Sequence, residues 1–484
     1  MAAHEAGALH APGYGGVATV PAWLRPPDDI NELLPTLWSS TVRRDGSGAI
    51  EVGGVPVGRL SAEFGTPAYV LDEADFRARA AAFRDAFRAE FAGLGGAEVY
   101  YAGKAFLCTS VARWVDQEGL GLDVCSAGEL AVGLRAGFDP ARMTLHGNNK
   151  PEPEIEQALA VGIGRIAVDS LTEIDRVAII AARLGVPARV LLRVTVGVEA
   201  HTHEYMSTAH EDQKFGLSLA GGHAAEAVRL VLARPELDLV GLHCHIGSQI
   251  FDTGGYELAL HRLLGLHAEV EREHGVRLPE VDLGGGYGIA YTSDHDPLEP
   301  KALAEQLAGI VAQECRGLQI EVPRIAIEPG RAIAGPSGLT LYTVGTIKDV
   351  PLGHGAQRRY VSVDGGMSDN IRTALYDADY SCTLASRSTD SVGVLSRVVG
   401  RHCESGDIVV RDEFLPDDLA VGDLVAVPGT GAYCRSMASQ YNHVPRPPVV
   451  AVRDGVARVL VRRETVDDIL ALDTGWDEPG QVRR

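Results

Sequence analysis

No CxxC pair occurs in this sequence. Its seven cysteines, Cys108, Cys125, Cys244, Cys315, Cys382, Cys403 and Cys434, are scattered and odd in number. That spacing offers neither a disulfide framework nor a zinc site, so no metal is expected and a reducing, cytoplasmic setting is. Basic charge is also short, with 44 Lys and Arg against 65 Asp and Glu and a net charge of −21. Such acidity speaks against a nucleic-acid or anionic-membrane partner. Any anionic ligand must therefore be held by local cations and backbone amides. No apolar run approaches the roughly 18 residues that a spanning helix needs. The opening "MAAHEAGALHAPGYGG" lacks both a basic start and an apolar core. It is expected to be a short disordered tail over residues 1–20 rather than a signal peptide.

What is present is ordinary globular composition, 45% hydrophobic and 23% charged over 484 residues, which is long for one domain. Eight short apolar runs recur: "EVYYA" (98–102), "GLDVCS" (121–126), "MTLHG" (143–147), "RIAVDS" (165–170), "RVLLRVT" (189–195), "LVGLHCHIG" (239–247), "VDLGGG" (281–286) and "RIAIEPG" (324–330). Most are continuous rather than alternating, as parallel strands buried on both faces are. Helical patterns such as "SAGELAVGLRAG" (126–137) and "SLTEIDRVAIIAARLG" (170–185) lie between them. Each opens on an N-capping serine and closes at glycine. The first five strand starts are 22 to 24 residues apart, one βα unit each. Eight such units predict a (β/α)8 barrel, with an open doubly wound sheet as the alternative.

After about residue 335 the pattern becomes β-rich and turn-punctuated, as in "LTLYTVGTIKDV" and "PPVVAVRDGVARVLVRRE". Residues 35–61, with "AIEVGGVPVGRL", read the same way. The expected layout is therefore a tail (1–20), an N-terminal segment joining the β domain (21–65), the barrel (66–335) and a C-terminal β domain (336–484).

Barrel enzymes react at the C-terminal ends of their strands. After strand one stands Lys104, either a surface lysine opening a helix or a Schiff-base amine. After strand six, "HCHIGSQ" offers His243 and His245 at i, i+2, read as one face of the strand. They could form a metal pair, but no third ligand follows at suitable spacing, or one ring could stack on an aromatic cofactor. Ser248 could donate to a phosphate. After strand seven, Gly284, Gly285 and Gly286 make either a plain turn or a phosphate cradle. After strand eight, "EPGR" supplies Glu328, Pro329, Gly330 and Arg331, a structural ion pair or part of a site. Barrels commonly bind phosphate in the loops after strands seven and eight. A lysine, a phosphate cradle, a stacking ring and a carboxylate are together what pyridoxal 5′-phosphate requires. In the β domain, Cys403 and Glu404 ("HCESGD") read as an exposed loop or an inert core cysteine. Arg372, Tyr376 and Tyr433 lie in loops with ordinary polar residues.

Taken in order, "YAGKAF", "LDVCSAGEL", "LHGNNK", "GLHCHIGSQI", "DLGGGYGIAY", "EPGRAI", "VDGGMSDNIRTALY", "HCESGDI" and "TGAYCRSM" span residues 98–437. They resemble the fold-type III pyridoxal-phosphate decarboxylases of ornithine, arginine and diaminopimelate. The nearest group is the diaminopimelate decarboxylases, in an actinobacterial-like form. The resemblance implies that Lys104 carries the cofactor and that His245 stacks on its ring. It implies that Ser248, Gly284–Gly286, Pro329, Gly330, Arg331 and Tyr433 surround the phosphate, with Glu328 at the ring nitrogen. It makes Cys403 the proton donor, reaching the site from the other copy of a homodimer with shared sites. Arg331, Arg372, Tyr376, Glu404 and Tyr433 match substrate-binding positions. The implied reaction is decarboxylation of meso-2,6-diaminopimelate to L-lysine. A related basic amino-acid decarboxylase, an alanine racemase and a non-catalytic cofactor-binding protein are the alternatives. The racemase places arginine rather than glutamate at the ring nitrogen. Phe106, Thr373 and "YNHVPRP" depart from the family's usual residues.

Overall fold

The computed structural model describes residues 20–198, 214–353 and 356–475. The expected tail and most of the polar segment 196–216 lie outside these. The described chain divides into two compact units. One comprises Phe76–Ile289 and Asp296–Ala334; the other takes the residues up to Asp75, Ala290–His295 and those from Gly335 onward.

The first unit is a closed parallel barrel. Its strands are β1 (Ala97–Ala102), β2 (Gly121–Val124), β3 (Met143–Leu145), β4 (Arg165–Val168), β5 (Ala188–Thr195), β6 (Leu237–His243), β7 (Glu280–Asp282) and β8 (Arg324–Ile327). β8 pairs in parallel with β1, Ile327 opposite Val99, which closes the ring and excludes an open sheet. Leu122, Val124, Leu145, Ile166, Leu192, Leu242, Val281 and Ile327 are fully buried. That double-sided burial explains why the strand sequences do not alternate. The helices end where the sequence signals it. The Ser126 hydroxyl accepts from Glu129 N–H and Gly137 closes that helix at φ 83°. Ser170 and Gly185 (φ 67°) do the same for Leu171–Leu184. Glycine takes this left-handed C-cap without a Cβ clash.

The N-terminal end of the barrel carries a buried ion network rather than chemistry. Arg165 pairs with Glu280. Arg324 reaches the same carboxylate at 2.6 Å, and the Arg165 guanidinium lies 4.0 Å from the Tyr100 ring centroid. Strand ends that would otherwise diverge are tied there, as expected of a barrel's stability face.

The second unit is a nine-stranded, mostly antiparallel sheet. Its long strand, Gly338–Gly353, pairs with Ala68–Asp72, Ala356–Val363 and Leu424–Pro428. The N-terminal strands Arg43–Arg44, Ile50–Val52 and Val55–Pro56 form a small sheet of their own. They still share the unit's core, with Ile50, Val52 and Val55 packed among Leu339, Leu341, Ala426 and Val450. Among the described residues no helix is long and apolar enough to cross a membrane.

Candidate active site

Lys104 follows β1 in a turn whose neighbours Ala102, Gly103 and Ala105 are buried while Lys104 itself is exposed. Gly103 N–H donates to the Asp123 carbonyl at 3.0 Å. A Cβ on Gly103 would stand 2.8 Å from that same oxygen. Glycine is thus required there by the close approach of β2, rather than to clear space around the amine. Phe106 is buried, and its carbonyl accepts from the Tyr101 hydroxyl at 2.7 Å. The turn presenting Lys104 is therefore pinned on both sides.

Glu328, just past β8, is buried and faces two imidazoles. His146 Nε2 lies 3.2 Å from its Oε1, and His243 Nε2 lies 3.1 Å from the same oxygen. Burial works against its charge, but the charge on His146 and the close approach of both imidazoles outweigh that and hold the carboxyl well below its usual range. Burial opposes a charge on His146 too, yet Glu328 and Asp123 raise it to about 9. His243 falls to about 4, mainly through burial. Glu328 is therefore ionised, His146 protonated and His243 neutral. The buried carboxylate that demands a cation finds it in His146, not in nearby Arg331. Arg331 instead donates to the Ser248 hydroxyl at 2.8 Å.

The two histidines of "HCHIG" do not both lie on the strand. β6 ends at His243, and the chain beyond it turns, with Gly247 at φ 145°. His245 lies in that turn, where its Nδ1 accepts from Gly285 N–H at 3.2 Å. Burial first, and then the Lys104 charge, push the His245 pKa well down, so the ring is neutral. Gly284 and Gly286 adopt φ 66° and 116°. A Cβ on Gly284 would come within 2.9 Å of His245 Nδ1, and one on Gly285 would strike the Glu328 carbonyl. Backbone therefore packs on backbone across β6, β7 and β8, and no side chain fits. Gly330 is equally confined: a Cβ there would lie 2.9 Å from Ala102 Cβ and 3.1 Å from Ala105 Cβ. Gly330→Val is expected to lower stability by about 1–3 kcal/mol through overpacking. It would also displace Lys104 by way of Ala105. Thermal unfolding beside a cofactor titration checks this; unchanged values in both would refute the packing argument.

Five expected site residues lie in the β unit. Arg372 is buried; its guanidinium donates to the Tyr380 hydroxyl at 2.5 Å and lies 4.7 Å from the Tyr291 ring centroid. Its Nε has no hydrogen-bond partner among the described residues. The turn before it is built on Asp369, whose carboxylate accepts from the Tyr342 hydroxyl and from Gly366 N–H. Thr373, unusual for the resembled family, donates to the Val409 carbonyl at 3.1 Å. Tyr376 is half-buried at the end of the same short helix. Cys403 and Glu404 are exposed on a loop fixed by Asp407, which accepts from Met367 N–H and His402 N–H at 2.6 and 2.7 Å. Asn442, within "YNHVPRP", lies 3.0 Å from His402 Nδ1. Tyr433 is half-buried with φ 61°.

Residues 73–335 match the family model described as pyridoxal-dependent decarboxylase, pyridoxal binding domain. The chain is 54% identical over 477 residues to diaminopimelate decarboxylase of Mycobacterium leprae, covering 98% of this chain and 100% of that one. The chain belongs to this family. Among solved structures, diaminopimelate decarboxylase from M. jannaschii in complex with L-lysine superposes with a TM-score of 0.84 at 30% identity, covering 90% of this chain and 98% of that one. The Helicobacter pylori enzyme, also with L-lysine, gives 0.76 at 31% identity, covering 86% and 98%.

The cofactor of a diaminopimelate decarboxylase is pyridoxal 5′-phosphate, and the barrel's residues fit it. Glycines 284–286 leave the turn after β7 without side chains, as close approach of a phosphate requires, although the N–H groups of Gly284 and Gly285 already donate to Asp282 and His245. An ionised, buried Glu328 suits a ring nitrogen that must stay protonated, and a neutral His245 suits a stacking ring. Sequence reasoning missed His146 and Asp123. The signal was present: each is a polar residue in or just after an apolar strand run, at the reactive end of the barrel.

Proposed function

We propose that this protein decarboxylates meso-2,6-diaminopimelate to L-lysine and CO2, the last step of lysine biosynthesis by the diaminopimelate route. The observation that carries the reading is the end-to-end identity of 54% to a curated diaminopimelate decarboxylase. Bound pyridoxal phosphate supplies an aldehyde that links to amines and a ring that accepts the electron pair left by departing CO2. Lys104 would hold the cofactor through Nζ and yield it to the substrate amine. Gly284–Gly286, Ser248, Gly330, Arg331 and Tyr433 would bind the phosphate, Pro329 shaping the loop. His245 would lie flat on the ring, and Glu328 would keep the ring nitrogen's proton in place.

Departure of CO2 leaves the α-carbon one proton short. Cys403 holds a transferable proton on Sγ, and we assign it that delivery. In the family a second copy supplies it, and we propose the same arrangement: a homodimer in which Cys403 of the partner subunit completes each site. A cytoplasmic location agrees with seven cysteines that form no disulfide.

Diaminopimelate differs from ornithine and lysine in carrying a distal carboxylate as well as a distal amine. Arg372 and Glu404, with Tyr376, are the groups suited to those two charges, the arginine by a two-pronged contact. Arg372→Ala is expected to raise KM for diaminopimelate by roughly 10- to 100-fold, the worth of a charge-assisted contact. Steady-state kinetics with a melting curve for each variant test it; an unchanged KM removes Arg372 from the substrate site. The activity itself is tested by incubating the holoenzyme with diaminopimelate, ornithine, arginine or lysine and measuring CO2 and L-lysine. Release from any substrate but not from diaminopimelate overturns the assignment.

A further inference from the structure

We propose that His146 is a positioning residue that fixes the charge and orientation of Glu328. The inference rests on the reading above, in which Glu328 faces the ring nitrogen. His146 is buried after β3, and its Nε2 stands between two carboxylates, 3.2 Å from Glu328 Oε1 and 3.5 Å from Asp123 Oδ1. Among the described residues His243 faces one carboxylate, Glu328, at 3.1 Å. The two imidazole centroids are 5.1 Å apart and their planes are inclined by 59°. Two protonated rings at that distance would repel in a dry interior. The single proton therefore belongs on the ring with two anions beside it.

Every barrel strand around the cluster bears on this arrangement. Asp123 comes from β2, Asp282 from β7 and Glu328 from just beyond β8. Arg165 (β4) and Arg193 (β5) are the cations, with His243 at the end of β6 and Lys104 after β1. Neither oxygen of Asp123 has a hydrogen-bond partner among the described residues. The nearby cationic ring of His146 is what makes its burial tolerable. Both imidazoles make their nearest approach to the same Glu328 oxygen. The carboxylate thus faces both imidazoles with one oxygen, though neither approach has hydrogen-bond geometry, and its other oxygen would be left for the ring nitrogen. Asp282 is pushed well up by burial in any case; without His146, Asp123 and Glu328 would also compete to be neutral. Glu328 would take up a proton and lose its hold on the pyridine nitrogen.

The test uses His146→Asn and His146→Gln, alone and combined with Glu328→Gln. Four quantities are measured: pyridoxal-phosphate affinity of the apo-protein by absorbance titration, the bound cofactor's visible spectrum across pH, kcat and KM for diaminopimelate, and the melting temperature of the apo-protein. We expect each single variant to weaken cofactor affinity by roughly tenfold, as loss of a group that orients a ligand typically does. kcat should fall while KM stays within about twofold, since substrate contacts are untouched. In the Glu328→Gln background the same changes should vanish. The proposal fails if affinity and the spectral pH profile match wild type. It also fails if His146→Gln causes the same loss with Glu328→Gln as without, because His146 would then act independently of that carboxylate. Glu328→Gln alone is the control for the underlying reading. If that variant binds cofactor and turns over like wild type, Glu328 is not at the ring nitrogen, whatever His146 does.

Discussion

Lys104→Ala is expected to lower decarboxylation by on the order of 10⁴-fold or more, the scale on which enzymes lose a covalent-catalysis residue. The physical reason is that no other amine can replace it at that place. Lys104 is the exposed residue of a turn whose flanking positions are buried, so the backbone holds its amine at the C-terminal end of β1. Its charge acts on His245, Cys125 and Glu129, which places it electrostatically among the groups of the barrel's reactive end. Because the side chain itself is exposed, its removal should leave the melting temperature of the apo-protein nearly unchanged. Lys104→Arg keeps the charge but not the nucleophile, and should be as inactive as the alanine variant. Borohydride reduction should fix cofactor to the wild-type chain and to neither variant. Near-native CO2 release from Lys104→Ala would sink the proposed chemistry, and labelling of that variant at another lysine would relocate it.

The barrel was legible because its strands are buried on both faces, which leaves continuous apolar runs, and because Ser126, Gly137, Ser170 and Gly185 mark helix ends by local chemistry. Strand ends were less legible. "LVGLHCHIG" reads as one strand, yet β6 stops at His243, because the loop beyond it is also buried and looks equally apolar. The partner of Glu328 was hidden for a different reason. Arg331 is near in sequence, whereas His146 is brought in by the closure of the barrel, and closure is a long-range pairing that no local window contains. The same holds for Ala68–Asp72. Its sequence could begin a barrel unit, but its partners are Gly338–Gly353 and Val449–Arg453. Gly103 taught a smaller lesson. Its need for a small residue was visible, but the cause, the Asp123 carbonyl beside it, was not.

The sharpest test of the shared site is a mixture of two inactive proteins. Lys104→Ala lacks the amine and Cys403→Ala lacks the thiol proposed as proton donor, and each alone is expected to be nearly silent. If Cys403 serves the site of the partner subunit, a hybrid dimer has one site without both groups and one site with both. Random reassociation of equal amounts makes half the dimers hybrids, each with one intact site of two, so activity should return to about a quarter of wild type. If instead each chain supplies its own cysteine, every site in every dimer lacks one group and nothing returns. The outcomes differ by the full activity of a native site, and neither depends on how stable the dimer is once exchange is complete. Cys403 is suited to serve another chain because it is exposed, on a loop whose shape comes from Asp407 and His402 behind it. Its removal should therefore leave the fold intact, and Cys403→Ser, which keeps a hydroxyl, should recover only a small part of the lost rate because its proton is held far more tightly. Silence of the mixture, with exchange shown by differently tagged chains, would place Cys403 in its own chain's site or in none.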